Sequence, residues 1–509
     1  MDYAVPRAAS RGGDRALELA ILAFMVVYYS ALMTGLRFDL LRPLSFGMTF
    51  NSMLDYMLHG RFDVDPLAVG LEGYGRDGRV YAYWGPFCAL LRLPLLAIPG
   101  GLQLDVTVLS CVAAVCVSGW VKLKAVLFLR RHTPPSPATA FLFICLIAYF
   151  ILAGPQIAYS VPSIYQEPVA WAYTLAAIFV CSAVRGLVRR TFSTGLLSAM
   201  AVSAALALLT RASTGIGLYA ALAFLLLVLL FQSASASRRP VSGLFAALFS
   251  GCILVPSLIA IAGAVITGTV NYYRWGNPFT FQNFPGYLFL AIYPDRLQRY
   301  LDYGFFNLSR IPFSLMYFFV PIWPFRGPDG HFLFEATQVR LFDDVELPPS
   351  SFFLTDLLPF LLLALVLSVR LPRLGRLIPL APAAALSLGL FVPWLLMLAA
   401  WALTQRYRLE FYPEIDFVAL LAAYVLVADP ALAGTLRRWR TALIAGAVVS
   451  VLASHAALVL FRISGLGPAQ IELRDKDLGR YYLWNAKRLW APPSKPVQFP
   501  GLSEPNPPG

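Results

Sequence analysis

Long apolar runs separated by short polar segments dominate the pattern of this chain. A run of about 20 apolar residues is the length at which an α-helix crosses a bilayer, and such runs recur from residue 17 to residue 461. The pattern therefore predicts an all-α polytopic membrane protein with about eleven transmembrane helices. The predicted spans are 17–36, 103–129, 138–154, 167–186, 193–210, 214–231, 241–267, 353–370, 377–404, 412–428 and 441–461.

Arginine clusters between these spans predict the orientation of the chain. Every alternate connection is short and basic, as in Arg130-Arg131 and Arg437-Arg438, and short basic connections mark the cytoplasmic side of a membrane. A cytoplasmic N-terminus follows, and the C-terminus is then external. The larger segments predicted to lie outside are 37–102, 155–166, 268–352 and 462–509. We expect a transmembrane domain over 1–461 and an external C-terminal appendage over 462–509.

The composition excludes several other classes of protein. Of the 509 residues, 59% are hydrophobic and 13% are charged, against about 25% charged in an average soluble domain. The net charge of +13 does not indicate nucleic-acid binding, because the basic residues lie between apolar runs. The six cysteines form no CxxC pair, so neither a disulfide framework nor a zinc site is predicted. They are expected to be small buried side chains.

The external segments are themselves amphipathic. Residues 86–100 are apolar, short and bounded by prolines, which indicates an interfacial or re-entrant helix rather than a span. Residues 268–352 are rich in Phe, Tyr, Trp and Pro, as expected of a segment at the level of the lipid headgroups. Short basic connections inside and long amphipathic segments outside indicate that the protein acts at the outer surface of the membrane.

Carboxylates are concentrated in the first external segment. Its six acids are Asp39, Asp55, Asp63, Asp65, Glu72 and Asp77. Partial burial near lipid raises the pKa of a carboxyl and suits it to accept a proton, which makes Asp63 and Asp65 candidate general bases. The alternative is structural, because Asp-x-Asp before Pro66 is also good turn and capping chemistry.

Three further groups stand at predicted outer ends of spans. Glu167 is a second catalytic candidate, although a glutamate before Pro168 also suits the first turn of a helix. Arg406 and Arg211 could bind a phosphate, or could instead snorkel to lipid headgroups or pair with a carboxylate. Arg408 should face away from Arg406, so only one of the two should bind. Tyr81, Tyr83 and Trp84 could stack on a sugar or form part of an interfacial aromatic belt.

The layout resembles the GT-C superfamily of polytopic glycosyltransferases, which includes protein mannosyltransferases, oligosaccharyltransferases and bacterial aminoarabinose transferases. The resemblance covers roughly residues 15 to 430 and is carried by the acidic first segment, Gly78–Pro86, Tyr272–Phe279 and Arg406-Tyr407. One departure concerns the adjacent acids that many members have after the first span. Here only Asp39 lies in that region.

The resemblance implies transfer of a sugar from a polyprenyl-phosphate donor to a glycan, lipid or protein acceptor on the outer face of the bacterial cytoplasmic (inner) membrane, in the synthesis of cell-envelope glycan. No nucleotide cofactor is expected, and a divalent metal ion, with Glu167 as a ligand, is left open. The catalytic residues would be Asp63 or Asp65, with Glu167 in support. The expected substrate-binding residues are Arg406, Tyr407, Arg211, Glu72, Tyr83 and Trp84.

Two alternatives remain at this point. A transporter or flippase for a lipid-linked glycan would use the same arginines and aromatics, but it should have polar residues deep in several spans. The predicted spans look nearly free of such residues, with Asp356 as a rare exception near an outer end. A polymerase or acyltransferase is the other alternative. An acyltransferase would need a histidine at the membrane level, for which only His59 is placed suitably.

Overall fold

The computed structural model describes residues 11–134, 137–158, 160–235, 240–320, 340–346 and 351–464. Eleven helices run through this part of the chain and form one bundle, in agreement with the predicted all-α class. They are α1 (Arg11–Thr34), α2 (Thr107–Arg131), α3 (Pro137–Leu152), α4 (Gln166–Arg189), α5 (Thr194–Leu208), α6 (Ala212–Ser235), α7 (Gly251–Trp275), α8 (Leu357–Leu367), α9 (Leu380–Leu390), α10 (Tyr412–Ala428) and α11 (Ala433–Ser464). The appendage predicted over 462–509 lies outside the described residues from 465 onwards.

Not every predicted span has the usual length of a transmembrane helix in the described part of the chain. By length and composition, nine helices of the described residues qualify, or ten if a bent pair counts as one span. The bent pair is α8 with Leu371–Leu377, which meet at 114°. The span predicted over 193–210 corresponds to α5, whose 15 residues fall short of the usual length. A polytopic membrane protein is confirmed, with nine or ten candidate spans by length and composition among the described residues.

The two ends of the bundle differ in chemistry. At one end, Arg190 donates hydrogen bonds of 2.9 Å to the carbonyl oxygens of Gly375 and Arg376, and Arg373 forms an ion pair with Asp429. Three of the basic connections predicted to lie inside therefore border the same end, which we call the basic end. The hydrogen bond from Arg373 is the main reason why the pKa of the Asp429 carboxyl is lowered.

The long connections meet at the opposite end, which we call the loop end. Arg274, at the end of α7, donates a 2.8 Å hydrogen bond from Nη1 to the carbonyl oxygen of Trp84. The backbone N–H of Asn307 donates a 2.8 Å hydrogen bond to the carbonyl oxygen of Ala399. The segment around residue 84 is therefore packed against the end of α7, and the segment around residue 307 against that around residue 399, although the members of each pair are far apart in sequence.

The first long connection folds into short elements. Its elements are the helices Thr49–Leu58, Pro66–Val69, Gly70–Glu72, Phe87–Leu90, Leu93–Ala97 and Gly101–Gln103 and the strands Tyr74–Arg76 and Arg79–Tyr81. The strands form a hairpin whose turn residues Asp77 and Gly78 both have positive φ, 51° and 72°, as tight two-residue hairpin turns require. Within the segment 86–100, predicted to be helical, the short helices Phe87–Leu90 and Leu93–Ala97 are present.

The second long connection runs from α7 to α8 and is also built of short elements. Its described elements are the helices Phe284–Gly286, Leu288–Ala291, Asp295–Tyr303, Leu308–Arg310, Ile311–Phe319 and Phe352–Thr355 and the strand Asp344–Val345. This strand pairs in parallel with Ala402–Leu403, which lies between the helix Val392–Leu398 and the 3₁₀ helix Gln405–Phe411. The pairing places the acidic residues Asp343, Asp344 and Glu346 near the 3₁₀ helix that leads into α10. The remaining described helices are Pro155–Ala158, Pro240–Leu248, Leu371–Leu377 and Pro430–Leu432.

The bundle interior is apolar and is rich in small side chains. Helices α4, α5 and α6 present buried alanines and glycines, among them Ala176, Ala201 and Ala221, and small residues let membrane helices approach closely. All six cysteines are free, and five of them are buried, as the sequence predicts. The interior therefore needs no covalent cross-link to explain its packing.

Charged side chains also lie deep in the bundle, which corrects the expectation of nearly apolar spans. Lys122 of α2 donates hydrogen bonds of 2.8 Å to Gln156 and to Tyr173. Tyr173 in turn donates to Asp416 of α10, and all four side chains are buried. These residues escape notice in the sequence because each is a single polar position inside a long apolar run. Their presence weakens the argument against a transporter.

Candidate functional site

The candidate site is centred on Arg406, at the loop end of the bundle. Arg406 lies on the 3₁₀ helix Gln405–Phe411, which leads directly into α10. Its guanidinium is 4.7 Å from the ring centre of Tyr165 and 5.9 Å from that of Tyr407. Within the described residues Arg406 forms no ion pair, so its charge is held against aromatic faces.

Arg408 points the other way, as its spacing from Arg406 predicts. It is buried among the helices, where Nη2 lies 3.2 Å from the Asp356 carboxylate and donates 2.8 Å to the hydroxyl of Tyr412. Arg406 is therefore the arginine of this pair that is directed towards the candidate site.

Arg211 has a carboxylate partner that is distant in sequence. Its Nε donates 2.6 Å to Oε1 of Glu410, which also accepts hydrogen bonds from Ser213 (2.5 Å) and Thr214 (2.8 Å). Glu410 is completely buried, and the Arg211 guanidinium lies 5.5 Å from the ring centre of Tyr407. Arg211 is thus held in a fixed place beside Tyr407, with its charge balanced.

Two carboxylates reach this region, Asp344 on the short strand Asp344–Val345 and Glu346 directly after it. Successive side chains of a strand point to opposite faces, so Asp344 and Glu346 share one face while Asp343 takes the other. Glu346 accepts a 2.7 Å hydrogen bond from the backbone N–H of Gln405, next to Arg406. Burial raises the pKa of both carboxyls, and the charge of Arg406 opposes this rise in each case. Asp344 nevertheless remains accessible to solvent.

The opposite face of the strand is tied down by an ion-pair network. Asp343 accepts hydrogen bonds from Arg296, 2.9 Å from Nε, and from Arg299, 3.2 Å from Nη1. The Arg296 guanidinium also lies 5.6 Å from the ring centre of Trp401. Asp343 is therefore occupied with anchoring the strand, which leaves Asp344 and Glu346 for the Arg406 side.

Tyrosines and Glu72 from the first long connection complete the site. Glu72 accepts a 2.8 Å hydrogen bond from the hydroxyl of Tyr287, and burial followed by interaction with Glu72 raises the pKa of both Tyr287 and Tyr165. Burial raises the pKa of Tyr83 to about 12. The charge of Arg406 lowers this pKa, and the charge of Glu72 raises it. The Arg406 cluster, as we name it, comprises Arg406, Tyr407, Arg211, Glu410, Tyr83, Tyr165, Glu72, Asp344 and Glu346.

Five of the six residues predicted to bind substrate come together in this cluster. They are Arg406, Tyr407, Arg211, Glu72 and Tyr83. The sixth, Trp84, is buried behind them, with its ring centre 4.5 Å from that of Tyr83 and 5.7 Å from that of Tyr165. The structure thus gives Trp84 the position of a supporting side chain.

The acids predicted to be catalytic lie in other contacts. Asp63 is buried and receives two hydrogen bonds from the guanidinium of Arg61, one of them 3.0 Å from Nε. Asp65 caps the helix Pro66–Val69 by accepting 2.9 Å from the backbone N–H of Leu67. The capping alternative is thus observed for Asp65, whereas Asp63 is held by an ion pair that the sequence does not predict. Their catalytic role stays a prediction.

Glu167 is likewise engaged in a buried ion pair. Its carboxylate accepts hydrogen bonds from both terminal nitrogens of Arg92, at 2.7 Å for Nη2, and one of 2.6 Å from Ser110. Both charged side chains are completely buried. This contact ties the first long connection to α4, and a catalytic role for Glu167 stays a prediction. His59, the histidine of the acyltransferase alternative, is exposed and outside the cluster.

No metal-binding group of three or more His, Cys, Asp or Glu residues is formed by the described part of the chain. Asp344, Glu346, Tyr165 and Glu410 are the cluster members that sequence reasoning did not single out. The only local signal for the first two is the run Asp343-Asp344-Val345-Glu346 inside an aromatic-rich external segment. Glu410 joins Arg211 across 199 positions, which no local pattern reveals.

Comparison with known proteins yields structural likeness only. No protein-family model and no curated protein sequence matches the chain. Its structure is similar to that of the archaeal oligosaccharyltransferase AglB from Archaeoglobus fulgidus in complex with an inhibitory peptide and a dolichol-phosphate, with a TM-score of 0.43 and 14% identity over 95% of this chain and 62% of that one. The apo oligosaccharyltransferase of Archaeoglobus fulgidus gives a TM-score of 0.41 and 14% identity over 94% of this chain and 62% of that one. The chain thus spans about three fifths of the length of those structures.

Proposed function

We propose that the protein is a membrane glycosyltransferase that moves a sugar from a polyprenyl-phosphate donor to a glycan, lipid or protein acceptor. The observation that carries this proposal is the Arg406 cluster. At one end of a membrane bundle it gathers side chains from distant parts of the chain: a guanidinium and three carboxylates that form no ion pair with any described residue, and three tyrosines.

Arg406 would bind the phosphate of the donor. A guanidinium matches phosphate oxygens through two parallel hydrogen bonds, and it remains charged at every physiological pH. Because aromatic rings shield Arg406, an arriving phosphate would interact with it in a medium of low dielectric constant, where the attraction is stronger than in water. Arg211 and Tyr407 would flank the same group.

Asp344 would act as the general base. The acceptor hydroxyl oxygen bonds to the anomeric carbon while its proton passes to the Asp344 carboxylate. The bond between the anomeric carbon and the phosphate oxygen breaks, and the electron pair leaves with the phosphate, where Arg406 stabilises the charge. A carboxyl that is accessible and has a raised pKa suits this task.

Asp344 would take the role of base in place of the acids that the sequence suggests. A carboxylate that already accepts paired hydrogen bonds from a guanidinium, as in Asp63 and Glu167, would have to break those bonds to take up a proton. Asp344 needs no such rearrangement. Tyr83, Tyr165 and Glu72 would line the sugar, with rings for stacking and a carboxylate for its hydroxyl groups. No step in this scheme passes through a metal ion.

The loop end would face the periplasm and the basic end the cytoplasm of a bacterial inner membrane. This orientation rests on the positive-inside rule, because the arginine connections border the basic end. It places the N-terminus in the cytoplasm and the C-terminus in the periplasm. Donor lipids would then reach the Arg406 cluster from the outer leaflet.

A transporter or flippase for a lipid-linked glycan is the second candidate. The specific observation in its favour is the buried group of Lys122, Gln156, Tyr173 and Asp416, since ionisable residues inside a membrane bundle often mark a transport path. A transporter would move the lipid across the bilayer and leave the bond between sugar and phosphate intact.

The test is release of polyprenyl phosphate by the purified full-length protein in proteoliposomes. The substrates would be a panel of polyprenyl-phosphate hexoses and pentoses, with acceptors extracted from the cell envelope. We expect release by the wild type and by Asp302→Asn, an exposed acid of the same connection, and loss in Arg406→Ala and Asp344→Asn. Normal release by both of these variants would overturn the proposal. Translocation of the intact lipid without release would establish the transporter.

A further inference from the structure

Two arginines meet at the loop end of the bundle, where α1 ends beside α11. Arg462, in the last turn of α11, donates hydrogen bonds from Nη2 to the carbonyl oxygens of Leu32 and, at 2.6 Å, of Ser160. Arg42, on the first long connection, donates a 3.2 Å hydrogen bond from Nη2 to the carbonyl oxygen of Met33. Because Leu32 and Met33 are consecutive in the last turn of α1, the two guanidinium groups lie near each other, and their positive charges repel.

The end of α1 explains only part of this arrangement. The last carbonyl groups of a helix lack intrahelical partners and carry a partial negative charge, so one arginine there is stabilising. The second arginine adds like charge to the same turn. Neither guanidinium forms an ion pair with a described residue, Asp39 included, and Nε of Arg42 is buried without a hydrogen-bond partner. Since each guanidinium has five N–H donors, most donors of the pair have no partner in the described part of the chain.

The surroundings of the pair are those of a lipid-facing surface. Only 22% of the apolar stretch of α1 and 33% of that of α11 is buried in the bundle, against 72% for α2. The turn that brings Arg42 back to α1 leaves Leu36, Phe38 and Leu41 exposed. Guanidinium groups beside exposed apolar side chains match an amphiphile, in which a negatively charged headgroup is joined to acyl chains, better than they match a free anion.

We propose that Arg42 and Arg462 form a binding site for the phosphate headgroup of an anionic phospholipid at the loop end of α1 and α11. The site goes beyond the proposed function, because neither arginine belongs to the Arg406 cluster and the transfer of the sugar does not use them. A phosphate between the two guanidinium groups removes their repulsion and accepts hydrogen bonds from both. The acyl chains lie against the exposed faces of α1 and α11. The bound lipid thereby joins both helices to the first long connection.

The experiment titrates the full-length protein in micelles of an uncharged detergent with dioleoylphosphatidylglycerol and, separately, with dioleoylphosphatidylcholine. Bound lipid is counted by native mass spectrometry, and the Tm is the second readout. We expect the wild type to bind the anionic lipid about thirtyfold more tightly than the zwitterionic lipid, because two arginines contribute to the attraction. The Tm should rise with the anionic lipid, since a ligand of the folded state stabilises it. Inorganic phosphate at the same concentration should leave the Tm unchanged.

Three double variants separate the site from a general effect of charge. Arg42→Gln/Arg462→Gln should bind the two lipids with similar affinity. Arg42→Lys/Arg462→Lys should keep part of the preference, because lysine retains the charge but loses the paired hydrogen bonds of a guanidinium. Arg79→Gln/Arg340→Gln is the matched control, since it removes two exposed arginines from the long connections and lowers the net charge by the same amount. Its preference for the anionic lipid should equal that of the wild type.

Equal affinity of the wild type for both lipids would overturn the proposal, and so would a preference that survives in Arg42→Gln/Arg462→Gln. If the pair only caps α1, this variant should lose the same Tm with either lipid, which would also overturn the lipid site. A rise in Tm with inorganic phosphate as large as that with the anionic lipid would overturn the lipid as the ligand. If the double variant does not fold, Arg42→Gln decides, and its preference should fall about fivefold.

Discussion

The first long connection and the Arg406 cluster contain the same residue types in different states of pairing. In the first, Asp63 pairs with Arg61 and Glu167 with Arg92, and each acid is buried against its partner. In the second, Arg406 has no ion pair within the described residues, while Asp344 and Glu346 lie near enough for its charge to affect their pKa.

The state of pairing separates structural charges from candidate functional ones. A fully buried ion pair, such as that of Glu167 with Arg92, satisfies both of its members and ties elements together, so its charges are less available to a substrate than an unpaired one. A charge that is positioned but not paired is unfavourable for the folded state alone, and it becomes useful when a ligand of opposite charge arrives.

The largest effect is expected for Asp344→Asn. Loss of a general base should lower kcat for release of polyprenyl phosphate by about 10²–10⁴-fold, with little change in KM. The exposed Asp302→Asn is the control, and its kcat should stay close to that of the wild type. A normal kcat in Asp344→Asn would assign the base elsewhere, with Glu346 and Glu72 the next residues to test.

Replacement of Arg406 should have the next largest effect. Arg406→Ala removes the phosphate ligand, and we expect kcat/KM to fall by about a hundredfold, in the range seen when one charge-stabilising donor is removed. Arg406→Lys keeps the charge but loses the two parallel hydrogen bonds, so it should recover only part of the loss. Full recovery with lysine would show that charge alone matters at this position.

A smaller, pH-dependent effect follows from the raised pKa of Asp344. The base acts in its deprotonated form, so kcat should fall as the pH decreases through the pKa of this group. Because burial raises that pKa, the fall should occur above the ordinary aspartate value of about 3.9. A pH profile of kcat checks this. An acid limb that is unchanged in Asp344→Glu would show that another group titrates.

The smallest effect on catalysis is expected for the paired acids. Glu167→Gln leaves Arg92 as an unpaired buried cation, which should destabilise the fold by about 3–5 kcal/mol. Asp63→Asn should destabilise it less, because Arg61 is half exposed and can be hydrated. Thermal unfolding in detergent would measure both. Activity per folded molecule should remain close to that of the wild type, and a large loss would support their predicted catalytic role.

Sequence reasoning predicted the helices well because apolar runs are a local signal. It could not predict that α5 would be short or that α8 would bend, since the residues that surround a span decide both. Arg406 and Tyr407 can be singled out from the sequence because Arg-Tyr stands at the start of a late span, and their role stays a prediction. The place of Asp344 could not be predicted, because it depends on a two-residue parallel pairing with Ala402 that leaves no periodic trace in the sequence.

The buried charges were missed for a related reason. Lys122 and Asp416 are isolated polar positions in apolar helices, and only the packing of α2 against α10 brings them to 3.9 Å. The partner of an acid is likewise invisible until the chain is folded. Glu167 and Glu72 are both acids predicted to lie at the outer side, yet one meets a guanidinium and the other a tyrosine hydroxyl.

The most direct test compares Asp344→Asn with Glu167→Gln in one assay of polyprenyl-phosphate release, normalised to folded protein. The pairing account predicts that Asp344→Asn loses at least about a hundredfold of kcat, whereas Glu167→Gln is less stable but retains its activity per folded molecule. The reverse result, with Asp344→Asn active and Glu167→Gln inactive although folded, would contradict the account and place the chemistry in the first long connection.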